Sequence, residues 1–139
     1  MPESAPRGTM LLERHAGHPV VLCVDDEKAV LTALRRSLRD EPYEVITAGS
    51  AAEAMGWLEE LPVTLVITDE RMPDVTGTEL LREVGKRWPS TARAFLTGHR
   101  VPSLVTEGLD AGVETFMYKP WDEEYLRETI RRILGKPLA

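Results

Sequence analysis

Residues 20–26 read Val20-Val21-Leu22-Cys23-Val24-Asp25-Asp26, and residues 63–69 read Val63-Thr64-Leu65-Val66-Ile67-Thr68-Asp69. Each is a short apolar run that stops on carboxylates. Neither alternates polar with apolar positions as a half-exposed strand would. That pattern suits central strands of a parallel sheet covered on both faces.

Working outward, helical patterns separate further strands. Residues 28–39 put Val30, Leu31, Leu34 and Leu38 on one helical face. Tyr43-Glu44-Val45-Ile46-Thr47 reads as a second strand. Ser50-Ala51-Ala52-Glu53 and Thr76-Gly77-Thr78-Glu79 are capping boxes, opening helices that run to about Glu60 and Trp88. Thr91–Leu96 is a fourth strand and Pro102–Asp110 a weaker helix with Gly108 inside it. Glu114–Tyr118 is a fifth strand. Asp122 caps a last helix, which Gly135 and Pro137 end. The β-α rhythm repeats five times. It predicts an α/β fold, a doubly wound five-stranded parallel sheet with helices on both faces. Residues 1–18, rich in Pro, Gly, Ser and charge, read as a flexible arm, 19–135 as the domain, and 136–139 as a tail or the start of a linker.

Composition bounds the function. The 139 residues suffice for one domain with a sizeable core. Lys and Arg number 17 against 23 Asp and Glu, a net charge of −6, which argues against direct nucleic-acid binding or adhesion to an anionic membrane. No apolar run is long enough to span a bilayer, and the first residues lack a signal-peptide core. The single cysteine, Cys23, cannot form an internal disulfide, so the expected compartment is cytoplasmic. His15, His18 and Cys23 have metal-ligand residue types, but Cys23 lies inside an apolar strand and reads as a structural thiol.

In an open parallel sheet, ligands bind at the carboxyl ends of the strands. Strand one ends in Asp25-Asp26-Glu27, strand three in Asp69-Glu70-Arg71, strand four in Thr97-Gly98-His99 and strand five in Lys119-Pro120. Three carboxylates, a hydroxyl and an ammonium therefore converge on one edge. Clustered carboxylates repel unless a cation sits among them, and hard oxygen ligands suit Mg²⁺. Such a site can hold a phosphoryl group from several sides, and phosphoryl transfer needs mainly positioning and charge neutralisation. Asp69 as nucleophile would form an aspartyl phosphate.

Five motifs carry a resemblance: Val24-Asp25-Asp26-Glu27, Thr68-Asp69-Glu70-Arg71-Met72-Pro73, Gly77, Leu96-Thr97-Gly98 and Tyr118-Lys119-Pro120. From about Pro19 to Leu134 the chain resembles the receiver domain of two-component response regulators. The resemblance implies a flavodoxin-like (βα)5 fold with strand order 2-1-3-4-5, and Asp69 as the phosphoacceptor. It implies Mg²⁺ held by Asp26, Asp69 and the Arg71 carbonyl, with Asp25 acting mainly through water. Thr97 would hydrogen-bond the phosphoryl group and Lys119 would pair with it. Phe116 would be the switch aromatic, and Arg71 and His99 would tune the lifetime of the phosphorylated form. It implies a cis Lys119-Pro120 bond. Two readings of the Arg71 side chain stay open when no phosphoryl group is present: its guanidinium leans on the carboxylates, or it points into solvent and offers only its carbonyl to Mg²⁺.

The partners implied are a sensor histidine kinase as donor and an output domain or downstream protein, with transcription as the expected output. The stretches Asp69–Pro73 and Lys119-Pro120-Trp121-Asp122 look like receivers of NtrC-type regulators, including those controlling hydrogenase expression. The chain stops just after the fifth helix, and the expectation is an excised receiver over a stand-alone regulator. A homodimer through the fourth helix, fifth strand and fifth helix is a further implication. Against it stands intrahelical pairing, since Glu123/Arg127 and Glu128/Arg132 are both spaced i,i+4.

Two other functions compete. A haloacid-type phosphatase would need Asp-x-Asp after strand one, where position 27 is Glu, and a cap insertion for which there is no length. A receiver serving only as an unphosphorylated interaction module would lack a site residue, and none of the five is missing. The expected protein is a signalling phosphoacceptor rather than a turnover enzyme.

Overall fold

The computed structural model describes residues 17–98 and 102–135. Strands β1 (Val20–Val24), β2 (Glu44–Ala48), β3 (Leu65–Thr68), β4 (Ala92–Thr97) and β5 (Thr115–Tyr118) alternate with helices α1 (Lys28–Ser37), α2 (Ala51–Glu60), α3 (Gly77–Arg87), α4 (Pro102–Asp110) and α5 (Glu123–Leu134). All neighbouring strands pair in parallel, in the order β2-β1-β3-β4-β5.

Side-chain alternation along the strands splits the core in two. Leu22, Val24, Ile46, Val66 and Phe95 point to one face, where Ala54, Trp57, Leu58, Leu80, Leu81, Val84 and Leu104 of α2, α3 and α4 cover them. Val21, Cys23, Val45, Leu65, Ile67, Leu96 and Met117 point to the other, under Leu34 and Leu38 from the α1 side and Leu126, Ile130 and Ile133 of α5. Strand β1 is buried along its whole length, as an unalternating apolar run requires. Burial also pushes the Cys23 thiol up to about 12, consistent with a structural role.

The expected caps form. The Ser50 hydroxyl accepts from the Glu53 N–H at 3.1 Å, the Thr76 hydroxyl from the Glu79 N–H at 3.1 Å, and Asp122 from the Tyr125 N–H at 2.8 Å. The first box is not reciprocal in the simple sense, because Glu53 reaches one residue further back, to the Gly49 N–H.

Several sequence expectations shift. Helix α1 ends at Ser37 rather than 39, β2 runs one residue later than Tyr43–Thr47, and β3 begins at Leu65, just after Thr64, whose hydroxyl accepts from the Val20 N–H. In α5 the i,i+4 pairs do not form. Glu123 instead accepts from the buried Ser37 hydroxyl at 2.8 Å, Arg127 donates to the Ser37 carbonyl and to Glu124, and Arg131 holds Glu41 through two bonds. Glu128 and Arg132 form no ion pair among the described residues. Tertiary partners from the α1 end outcompete neighbours on an exposed helix face, where an i,i+4 pair is worth only about 0.2–0.5 kcal/mol.

Candidate functional site

The order β2-β1-β3 reverses direction between β1 and β3, which makes the carboxyl ends of those strands the switch point of the sheet. Backbone bonds set the two acidic turns side by side. The Asp69 N–H donates to the Val24 carbonyl at 3.1 Å and the Asp25 N–H to the Ala48 carbonyl at 3.1 Å. Asp25 and Asp69 are buried and Asp26 is exposed, and one oxygen of each lies within 4.8 Å of the others.

Lys119 closes the cluster from β5. Its Nζ lies 2.6 Å from Asp25 Oδ2 and 2.9 Å from Asp69 Oδ2. Partial burial disfavours its ammonium, but the hydrogen bonds to Asp25 and Asp69 and their negative charges outweigh this and raise its pKa above the ordinary 10.5. The Lys119 N–H donates to the Thr97 carbonyl at 2.9 Å, and the Lys119-Pro120 bond is cis, as expected. Thr97 is fully buried at the end of β4.

The second oxygen of each buried aspartate is held by backbone. Asp69 Oδ1 accepts from the Glu70 N–H at 2.7 Å, and Asp25 Oδ1 from the Glu27 N–H at 2.9 Å. The loop after β3 is tight because Gly77 packs on the Asp69 carbonyl. A Cβ at Gly77 would collide with that backbone oxygen, and the Gly77 N–H donates to the Glu70 carbonyl at 2.8 Å.

The structure thus brings together Asp25, Asp26, Asp69 and Lys119, with Thr97 tied to the backbone of Lys119. It does not bring the Arg71 side chain to the cluster. Arg71 is exposed and forms no ion pair with the three carboxylates among the described residues, so of the two readings the solvent-facing one holds and the leaning one is corrected. Lys119, already between Asp25 and Asp69, supplies the compensating charge. His99 and His15 lie outside the described residues. Phe116 stacks on Phe95 with ring centroids 5.7 Å apart. Gly108 of α4 leaves the room for it, since a Cβ there would stand 2.6 Å from Phe116 Cζ.

Sequence reasoning missed Glu70 and Thr78. Glu70 was legible only as a neighbour of Asp69, yet its carboxylate accepts from both the N–H and the hydroxyl of Thr78, at 3.0 and 2.6 Å. The only signal was a carboxylate eight positions before a threonine, too weak a pattern to single out.

Three carboxylates that share one ammonium leave the cluster net negative, and their close oxygens at the switch point of a parallel sheet could hold a metal ion. The family follows from comparison with known proteins. The sequence profile of the response regulator receiver domain matches residues 21–131, and the chain belongs to that family, the receivers of two-component systems. It is 41% identical over 113 residues to the hydrogenase transcriptional regulatory protein HoxA of Cupriavidus necator, covering 81% of this chain and 23% of that protein. It is 32% identical over 126 residues to the transcriptional regulatory protein TrcR of Mycobacterium tuberculosis, covering 90% of this chain and 49% of the relative. The chain therefore spans half or less of the length of these curated relatives. Among solved structures, the signal receiver domain of an HD domain-containing protein from Pseudomonas fluorescens Pf-5 superimposes with a TM-score of 0.82 at 31% identity, covering 84% of this chain and 94% of that one. A CheY-like receiver domain from Methanospirillum hungatei JF-1 gives 0.81 at 31% identity, covering 85% and 94%.

Among the described residues, no helix is long and apolar enough to cross a membrane.

Proposed function

We propose that Asp69 is the phosphoacceptor of this receiver and that the chain switches the output of a transcriptional regulator. The observation that carries the reading is the bridge from Lys119 Nζ to both Asp25 and Asp69 at the switch point of the sheet. A lone carboxylate buried there would be strongly disfavoured; this one is kept available by a paired ammonium and an oriented backbone N–H. In the transfer, an Asp69 oxygen forms a bond to phosphorus, the bond from phosphorus to the kinase's histidine nitrogen breaks, and the imidazole regains its proton from solvent.

The donor set fits Mg²⁺: three carboxylates with oxygens close together and no soft ligand among them. Asp26 and Asp69 would hold the ion with the Arg71 carbonyl, and Asp25 would act through water. When bound, it supplies the positive charge that balances the carboxylates and the incoming phosphoryl oxygens. Lys119 stays on Asp69 and offers its ammonium to the new group, while Thr97 donates its hydroxyl to a phosphoryl oxygen. Phe116 follows Thr97 as the switch aromatic, and Arg71 and His99 govern access of water and so the lifetime of the adduct. The domain catalyses only its own phosphorylation and slow dephosphorylation.

The donor is a phosphohistidine on a sensor kinase in the cytoplasm, and residues 19–135 act as the receiver unit. The similarity to HoxA supports an NtrC-type transcriptional output. Two exposed apolar residues of α4, Val105 and Leu109, with Tyr125 of α5, support a homodimer through α4, β5 and α5.

The test is incubation with Mg²⁺ and acetyl phosphate, followed by intact mass. One persistent phosphoryl adduct is expected, absent in Asp69→Asn. No adduct, or phosphate release with fast turnover, overturns the reading.

A further inference from the structure

We infer that Glu70 is a positioning residue for phosphoryl acceptance, acting through a clamp to Thr78 that sets the peptide units on either side of Glu70. The inference rests on Asp69 being the acceptor. Asp69 has two oxygens, and each has a different holder. Oδ2 faces Lys119, and Oδ1 accepts from the Glu70 N–H at 2.7 Å. The rotation of the reacting carboxylate is therefore set by where the peptide between Asp69 and Glu70 lies. The carbonyl of Arg71, the backbone oxygen assigned to the metal, is on the next residue along.

Glu70 fixes that stretch from its far side. Its carbonyl accepts from the Gly77 N–H at 2.8 Å, and its Oε2 accepts from the Thr78 N–H at 3.0 Å and the Thr78 hydroxyl at 2.6 Å. Gly77 and Thr78 are the first two residues of α3, whose opening N–H groups have no partner within the helix. Thr76 takes the third, from Glu79. One residue thus satisfies two opening donors of α3 while its own N–H orients Asp69. Thr78 is buried, so its hydroxyl needs this partner. The middle of the loop is tied elsewhere: Asp74 accepts from the N–H groups of Ala51 and Ala52 at the start of α2. Gly77 packs on the Asp69 carbonyl, and Glu70 is the hydrogen-bonded link between α3 and the acceptor carboxylate, its own side chain being engaged by Thr78.

The loss of such a supporting partner typically weakens a metal site tenfold or more. A residue that merely caps α3 would alter unfolding without altering the site of the folded protein. The experiment uses Glu70→Ala, Glu70→Gln and Thr78→Val in the full chain, at a temperature where urea titration shows each fully folded. Mg²⁺ affinity is read by calorimetry, and initial phosphorylation by acetyl phosphate at saturating Mg²⁺ is read by intact mass. Glu70→Ala is expected to weaken Mg²⁺ binding and slow phosphorylation by about tenfold each. Glu70→Gln, whose amide oxygen can still accept from Thr78, recovers most of both. Thr78→Val, which keeps the shape and removes only the hydroxyl, falls between. The double variant Glu70→Ala with Thr78→Val should be no worse than Glu70→Ala alone, because both break one clamp.

Equal Mg²⁺ affinity and rate in wild type, Glu70→Ala and Thr78→Val overturns the inference, even where the variants unfold more readily. A wild type that takes no phosphoryl group on Asp69 overturns instead the functional reading on which the inference rests.

Discussion

The two helices that follow β3 and β4 are built on different terms. Helix α3 begins on residues locked to the acceptor strand and buries Gly77, Thr78, Leu80, Leu81 and Val84. Helix α4 buries only Leu104 and Gly108, and leaves Val105 38% and Leu109 63% exposed. Both follow strands whose carboxyl ends form the site. The first turn of α3 is tied to the turn that follows Asp69, while α4 presents most of its surface to solvent, and few buried contacts mark a helix of low local stability. Burial, and not sequence distance from the strand ends, separates the two.

The largest expected effect tests that contrast directly. Leu81→Ala in α3 should cost about 2–5 kcal/mol in urea unfolding, as for other fully buried leucines. Leu109→Ala in α4 should change stability by less than about 0.5 kcal/mol. Similar losses at both positions would break the comparison.

Glycines sharpen it. Gly77→Ala drives a Cβ into the Asp69 carbonyl, which is backbone and cannot swing aside, so a loss of about 1–3 kcal/mol is expected together with weaker Mg²⁺ binding by calorimetry. Gly56→Ala in α2 meets nothing within 4 Å and should stabilise by about 0.5–1 kcal/mol, providing the control.

Gly108→Ala is a subtler case. Alanine would favour helix by roughly 1 kcal/mol, but its Cβ would meet the Phe116 ring at 2.6 and 2.7 Å and Phe95 at 3.1 Å. Net destabilisation is expected by thermal melting. Shortening the obstacle with Phe116→Leu in the same chain should turn the alanine stabilising. If Gly108→Ala stabilises the chain with Phe116 intact, α4 yields more freely than the packing implies.

The smallest effect concerns charge. The pKa of Lys119 is raised in the folded state, so its contribution to stability is full below the unfolded value of 10.5 and is lost as pH rises through the folded value. The melting temperature of wild type should therefore fall more steeply above pH 10.5 than that of Lys119→Met, which starts lower. Parallel slopes in that window would show that the bridge to Asp25 and Asp69 does not govern the alkaline limit.

Much of this was legible in residues alone. Unalternating runs ending in carboxylates gave away β1 and β3, and Ser50, Thr76 and Asp122 marked three helix starts, because caps and buried strands are written in short local patterns. The partners of Glu123 and Arg127 were not legible. Their spacing on one helix suggests one pairing, and Ser37, some 86 and 90 positions away, supplies another. The sequence left open whether Arg71 or Lys119 balances the carboxylates, and only the folded position of Lys119 between Asp25 and Asp69 decides it.

By itself, then, the sequence determined the α/β rhythm, the strand ends and the residue types gathered there, since each depends on a few neighbouring side chains and on whether they prefer water. Tertiary structure alone decided which oxygen of Asp69 meets Lys119 and which meets Glu70, that Glu70 serves α3, and that Gly108 is a slot for Phe116. Those outcomes depend on contacts between segments distant in the chain, where a shift of an ångström makes or breaks a hydrogen bond and no local pattern records the distance.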